Sequence, residues 1–450
     1  MLKKFINFVR NPFRKGEVAM EKFGEGRASD SFWDGTKKQF RKNRLAVYSI
    51  RFLYFLIAVA LLADVLANEK PLMCKYKGSV YFPVFRSYAV DAGIANWQKD
   101  LQNVDWKKLE YDWSIFPPIP YLPRNFDDNN VHSVSPFADQ VIKSNRWRHW
   151  LGTDEAGHDV MAAMIHGTRT ALLVGVVSMS IAALIGILLG SLAGFFGDAR
   201  LKISRCTVIF GTFFLLLGIF YSFGTRSYIL RDALAVSFFN FFGQLFISLL
   251  VFVAIILLGR LICAPLKMIP WMAKKISLPV DIIVSRMIEI MLSIPTLFLI
   301  ISISAIIEKP SIFNVMIIIG ATSWTGIARF IRAELLRVRN LEYIEAANAL
   351  GFSEMRIIFK HAIPNAISPV LISIAFGVAS AILIEATLSF LGIGVPAETL
   401  TWGSLLSAAR QTPTAWWLAI FPGLSIFLTV TIFNLAGEGL TDALDPRLRK

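Results

Sequence analysis

Leu341–Pro364 reads LEYIEAANALGFSEMRIIFKHAIP, a short charged segment between two long apolar runs. The side chain of Asn340 is expected to cap a first helix, with Glu342 favourable in its positive first turn. That helix carries Ile344, Glu345, Ala346, Ala347 and Leu350. It stops at Gly351, the residue best able to take the left-handed closing conformation. Ser353 offers a second N-cap. The helix it starts should end at Ile363, because Pro364 disfavours helical dihedrals in the residue before it. The segment is too polar to span a bilayer and too compact for a linker, so it reads as a helix-turn-helix knob on a membrane surface.

Working outward, the 450-residue chain is 55% hydrophobic with a mean hydropathy of +0.56. That exceeds the usual soluble range. Its net charge of +14 could suggest nucleic acid, but the charge is concentrated at one place. Residues 1–44 hold twelve Lys and Arg against five acids, directly before the first apolar run. This is the positive-inside pattern and favours an anionic membrane surface. No nucleic-acid-binding motif accompanies it. The three cysteines, Cys74, Cys206 and Cys263, imply no disulfide framework or metal cluster. The polar stretch ahead of the first apolar run argues against a cleavable signal peptide, so that run reads as a signal-anchor.

Eight runs have about the length and apolarity of transmembrane helices. They are Leu45–Ala67, Thr170–Phe196, Thr207–Phe223, Ala235–Leu258, Met287–Ile307, Ile312–Ala328, Pro369–Phe390 and Trp416–Leu435. An even number places both termini on one side, the cytoplasm. Arg51 can snorkel from the first run. Gly186, Gly190 and Gly194 recur every four residues in the second, a ridge suited to close helix packing. Pro295 interrupts the fifth run, where Glu289 can pair with Arg286 one turn earlier. Glu385 lies near the outer end of the seventh. Ionisable groups in spans rarely face lipid, so Glu289 and Glu385 are polar site candidates. Residues 68–150 form a long extracytoplasmic loop with Trp97, Trp106, Trp113 and a proline cluster at Pro117–Pro123, suited to docking a partner or to packing on the chain's own spans.

Catalytic signals are weak. Asp154, Glu155, His158 and Asp159 offer one His among carboxylates, poor material for a metal site. Gly392-x-Gly394 lacks the third glycine of a dinucleotide loop, and no G-x-x-x-x-G-K-[ST] cradle for ATP phosphates occurs. The reading is therefore not an enzyme and has no cofactor of its own. A polar knob without an energy source should draw on a partner, as a helix in a groove. The competing class is an ion-gradient-driven secondary transporter or channel, which needs a relay of intramembrane carboxylates; Asp64, Glu289 and Glu385 are scattered.

Glu345-Ala346-Ala347, Gly351 and Ile363-Pro364 resemble the EAA loop of ABC-importer permeases. That family usually has Leu before the proline and Ile two residues earlier, where this chain has Ile363 and His361. Leu151–Arg169, with LGTD, Gly157, Asp159-Val160 and Gly167-x-Arg169, resembles the start of the C-type permeases of oligopeptide and dipeptide importers, although His158 stands where Arg is common. IPTLFLI at Ile294–Ile300 and LSFLGIGVPAETLTWG at Leu388–Gly403 are similar to the same group. ANEKPLMCKYKGSVYFP at Ala67–Pro83 points to its Yej-type peptide permease branch.

The resemblance implies an all-α polytopic fold, the type I ABC importer transmembrane domain, over residues 151–450. A cytoplasmic tail (1–44), a first helix (45–67) and the extracytoplasmic loop (68–150) precede it. Residues of about 200–280 have no family counterpart and read as an inserted hairpin. The implied role is ATP-driven uptake of peptides or peptide-like compounds across the bacterial cytoplasmic (inner) membrane. The implied partners are a B-type permease, ABC ATPase subunits that bind ATP and Mg, and an extracytoplasmic solute-binding protein. Residues 340–364 become the coupling loop, with Glu345 in polar contact at the ATPase cleft. Ala346 and Ala347 permit close approach there, Gly351 sets the turn, and Ile363-Pro364 closes the motif.

Overall fold

A computed structural model describes residues 32–91, 93–102, 104–236, 238–307, 310–396 and 399–444. Most of the basic tail, the final Arg447, Arg449 and Lys450, and Ala397-Glu398 of the outer-loop motif lie outside the described residues.

Seven helices among these residues are long and apolar enough to cross a bilayer. They are α2 (Arg44–Leu61), α4 (Val160–Phe196), α5 with α6 (Arg205–Ile219 and Ser227–Val236, one span over Arg205–Ala233), α7 (Phe238–Leu266), α10 (Ile312–Val338), α12 (Ser368–Phe390) and α14 (Trp417–Leu444). The expected fifth span is not one helix. It is α8 (Val280–Ser293) and α9 (Thr296–Ile306), bent by 86° at Ile294-Pro295. Proline removes a backbone donor and drives its predecessor out of helical dihedrals, and Ile294 is extended at ψ 124°.

Contacts fix how this pair runs. Helices α4 and α10 are parallel: Gly186 meets Ile327, Gly190 meets Ile331, and Gly194 meets Leu335. The chain between them must therefore cross an odd number of times. The inserted hairpin contributes two crossings, so the bent pair contributes one. Its start joins the lower end of α10 through Asp281–Arg332, and its end approaches the upper loop, where both Ser304 and Val315 border Gly394. The expected glycine ridge on α4 is the seam of this pairing. Side chains there would hold the backbones apart, and without them the α10 backbone lies directly against α4.

The lower end gathers the start of α2, the end of α14, the base of the inserted hairpin and residues 341–366. Short α1 (Phe32–Lys42) joins it, and Asn43 there donates to Asp442 at 3.1 Å. Residues 68–150 sit at the opposite, upper end. They fold as a three-stranded antiparallel sheet, order β2-β1-β3, from β1 (Met73–Tyr76), β2 (Ser79–Tyr81) and β3 (Trp113–Ile115), followed along the chain by α3 (Pro83–Asp91) after β2. Ile119 and Tyr121 of the proline-rich segment pack on Ala67 and Ala162, seating this unit on α4. His149, fully buried, bridges Asp159 (2.8 Å), which N-caps α4, and Asp127 (3.2 Å).

The inserted hairpin runs from β4 (Lys202–Ser204) to β5 (Lys275–Ser277), which pair antiparallel at its base. Cys206 and Cys263, which the sequence does not pair, lie side by side there, their Cα atoms 6.0 Å apart. At its tip Arg226 donates to Gln244 (2.8 Å) and Ser248 (3.1 Å).

Candidate coupling site

Helix α10 delivers the chain to the knob. It is longer than expected, running ten residues past Ala328 to Val338. Helix α11 (Glu342–Ala349) follows, with Leu341 at its N-cap. Asn340 does not cap it: its amide donates backward to the Leu336 carbonyl at 3.3 Å, competing with the role its residue type favours.

The turn forms as the glycine requires. Gly351 has φ +77°, its N–H reaches the Asn348 carbonyl at 3.0 Å, and the Phe352 N–H reaches Ala347 at 3.2 Å. That pair of bonds is the Schellman closure, which satisfies carbonyls the helix end leaves open. Ser353 takes the N-cap dihedrals of the next helix without a side-chain bond. That helix does not stop at Ile363. It opens into a π-turn over Ile358–Ala362, where the Ile363 N–H bonds the Ile358 carbonyl, and regular winding resumes through Ala366. The wide turn makes room for the Pro364 ring, which a regular α-helix would push into a carbonyl one turn back. Across the hairpin the Asn365 amide donates to the Tyr343 hydroxyl at 3.2 Å.

One face of the knob is anchored. Ile344, Ala347, Ile357, Ile358, Ala362 and Ala366 are buried in the same core as Leu335, Val338 and the α4 seam. The other face is bare. Glu345 and Ala346 are exposed, and Leu350 (74% exposed), Met355 and Phe359 stand out around the turn. Exposed apolar side chains grouped near a turn, beside an exposed carboxylate, mark a surface for a protein or membrane contact.

The structure brings Glu345, Ala346 and Gly351 to this bare side, turns Ala347 inward, half-buries Ile363 and exposes Pro364 at the hairpin's return. Glu289 and Glu385 are elsewhere and apart. Glu289 pairs with Arg286 at 2.5 Å on an exposed face of α8. Glu385 is 1% exposed near the upper end of α12 and accepts from Ser389 at 2.6 Å. Among the described residues no group of three metal-ligating side chains comes together. Sequence reasoning placed Leu350 on the first helix without giving it a role, and passed over Met355 and Phe359. Their signal was available: they cluster around a glycine turn, where no buried helix face accounts for them.

The chain is similar to known transport proteins. The family described as binding-protein-dependent transport system inner membrane component matches residues 268–450, and the N-terminal transmembrane domain of oligopeptide transport permease C matches residues 31–77. The chain is 28% identical to the inner membrane ABC transporter permease protein YejE of Escherichia coli over 91% of this chain and 95% of that protein. It is 30% identical to the dipeptide transport system permease protein DppC of Alkalihalophilus pseudofirmus, over 67% of this chain and 73% of that protein. The di/tripeptide permease DppC of Pseudomonas aeruginosa is 30% identical over 70% and 79% of the two chains. With its bundle of membrane-length helices, the chain therefore belongs to the inner-membrane permease components of binding-protein-dependent transport systems and is a transmembrane permease of the ABC importer class.

Proposed function

We propose that this chain is the C-type half of an importer for peptides or peptide-like solutes, and that the knob at residues 341–366 docks into a cleft on an ABC ATPase subunit. The observation that carries the reading is the division of the knob, with Ile344 and Ile357 fully buried and Leu350 and Met355 bare. A rigid base transmits displacement, and a bare tip needs a socket. ATP and Mg2+ belong to the ATPase subunits, whose closure moves the knob and the seam of α4 and α10 as a body. Both termini, the basic tail and the knob then face the cytoplasm. A B-type permease supplies the other half of the pathway, and a solute-binding protein meets the unit of residues 68–150 outside. Peptide cargo is supported by the relatives, which are named for dipeptide, di/tripeptide and oligopeptide transport. Because coupling is reciprocal, loaded binding protein outside should raise ATP hydrolysis inside.

Purification of the complex in mild detergent tests this. The ATPase should accompany the chain, and hydrolysis should rise with loaded binding protein. Uptake by the lone chain on an ion gradient would contradict it.

A further inference from the structure

A polar cavity of about 450 Å3 opens at the upper end of the bundle, away from the knob. It lies where the end of the first span, the upper part of α4, the loop at Arg124 and the segment leading into α13 (Trp402–Gln411) converge. Its volume is in the range of small-ligand sites.

Its charges are unequally committed. Asp64 is engaged by Arg169 at 2.7 Å and also accepts from the Tyr88 hydroxyl, so it offers little to an incoming cation. Arg169 is further fixed by donating to the Ala60 carbonyl at 2.8 Å, and His166 is tied to Ala67 at 3.0 Å. Lys70 is poised over the Trp97 ring at 5.0 Å. Arg124 is exposed and has no hydrogen-bond or ion-pair partner among the described residues. Asp91 is the one lining acid likewise left over. Arg124 is therefore the lining cation without a partner, Lys70 is held only by the Trp97 ring, and a guanidinium's planar fork matches a carboxylate.

We infer that this cavity receives the free carboxylate end of a peptide, held by Arg124 and supported by Lys70, as the solute's first contact with the permease. The inference rests on the peptide reading above. It assigns the upper cavity a preference for solutes with an ionised terminus, independent of what the binding protein selects.

The test uses the purified complete complex without its binding protein and a photoreactive tripeptide, made as the free acid and as the C-terminal amide. The acid should label this chain around the cavity about tenfold more than the amide, the scale of one charge-assisted hydrogen bond. Arg124→Gln should remove that preference and Arg124→Lys should keep most of it. Since Arg124 is bonded to nothing, neither change should disturb assembly. Equal labelling by acid and amide, labelling confined to other regions, or an unaffected Arg124→Gln would overturn the inference. Uptake of the same tripeptide by the importer reconstituted with its binding protein separates the two readings. Uptake without carboxylate-dependent labelling overturns the cavity alone, and absence of both overturns the peptide reading with it.

Discussion

Arg332 grips Asp281 from 51 positions away, its Nη2 donating to Oδ2 at 2.8 Å and its Nε to the other oxygen. This fork ties the lower end of α10, nine residues before the knob begins, to the start of the bent pair. The pair is mostly shielded from solvent, with side chains 32% and 16% exposed. Knob movement should therefore reach the broken span directly. Asp281→Asn keeps the shape and loses the charge; it should lower stability by about 1–2 kcal/mol. In the reconstituted importer it should also weaken stimulation of hydrolysis by loaded binding protein. A thermal-unfolding series in detergent, beside an ATPase assay, checks both effects.

Gly351→Val places a Cβ on a left-handed residue, straining the turn by about 1–2 kcal/mol. A Cβ there meets no atom within 4 Å, so the cost is conformational and not a clash. The variant should insert normally and lose ATPase association, read by copurification. Gly351→Asn, which tolerates that region better, should retain more of the partner.

Leu350→Asp alters a side chain that is already 74% exposed. Stability should change by no more than about 0.5 kcal/mol, as for other surface substitutions. ATPase binding should nevertheless fall at least about tenfold, because a charge would enter a desolvated contact. Membrane yield and pull-down of the ATPase, measured together, separate the two effects.

Gly190→Val drives a side chain into Ile331 and the Ala328 backbone at the α4–α10 seam. Overpacking of this kind costs about 1–3 kcal/mol. Gly211→Val, where nothing lies within 4 Å, is the control and should be tolerated. Thermal midpoints of the two variants should differ accordingly.

The upper unit should loosen in acid. Burial pushes the Asp127 carboxyl up, but hydrogen bonds from the Asn130 side chain and the Asn129 backbone, with His149, outweigh it and hold the group below the usual carboxylate range. A depressed folded value stabilises at pH above the unfolded value of about 3.9, and that contribution fades as pH falls through the folded one. Proteolysis of residues 68–150 should therefore accelerate below about pH 4, and Asp127→Asn should reduce this dependence.

Much of the bundle was legible because membrane spans announce themselves by length and apolarity, and because four-residue glycine spacing dictates close packing at Gly186, Gly190 and Gly194. The Gly351 turn was legible for a local reason, the left-handed residue. What escaped depended on competition between nearby groups. Asn340 found the Leu336 carbonyl before the helix it was expected to cap. Pro364 was absorbed by a π-turn, which depends on how five preceding residues wind. Pro295 was recognised as an interruption, but the size of the bend, 86°, is not set by the residue type alone. Leu350 was given no role, and Met355 and Phe359 were overlooked, because an apolar residue in a membrane chain is ordinarily assumed to face lipid or core.

The most direct measurement is sidedness at the tip. Leu350→Cys, in a chain with Cys74, Cys206 and Cys263 replaced, is exposed to a membrane-impermeant maleimide in right-side-out and inverted vesicles. Labelling should occur only in inverted vesicles and should be blocked when the ATPase is assembled. Labelling from the outside, or full labelling with the ATPase bound, would contradict the assignment of the knob as the coupling element.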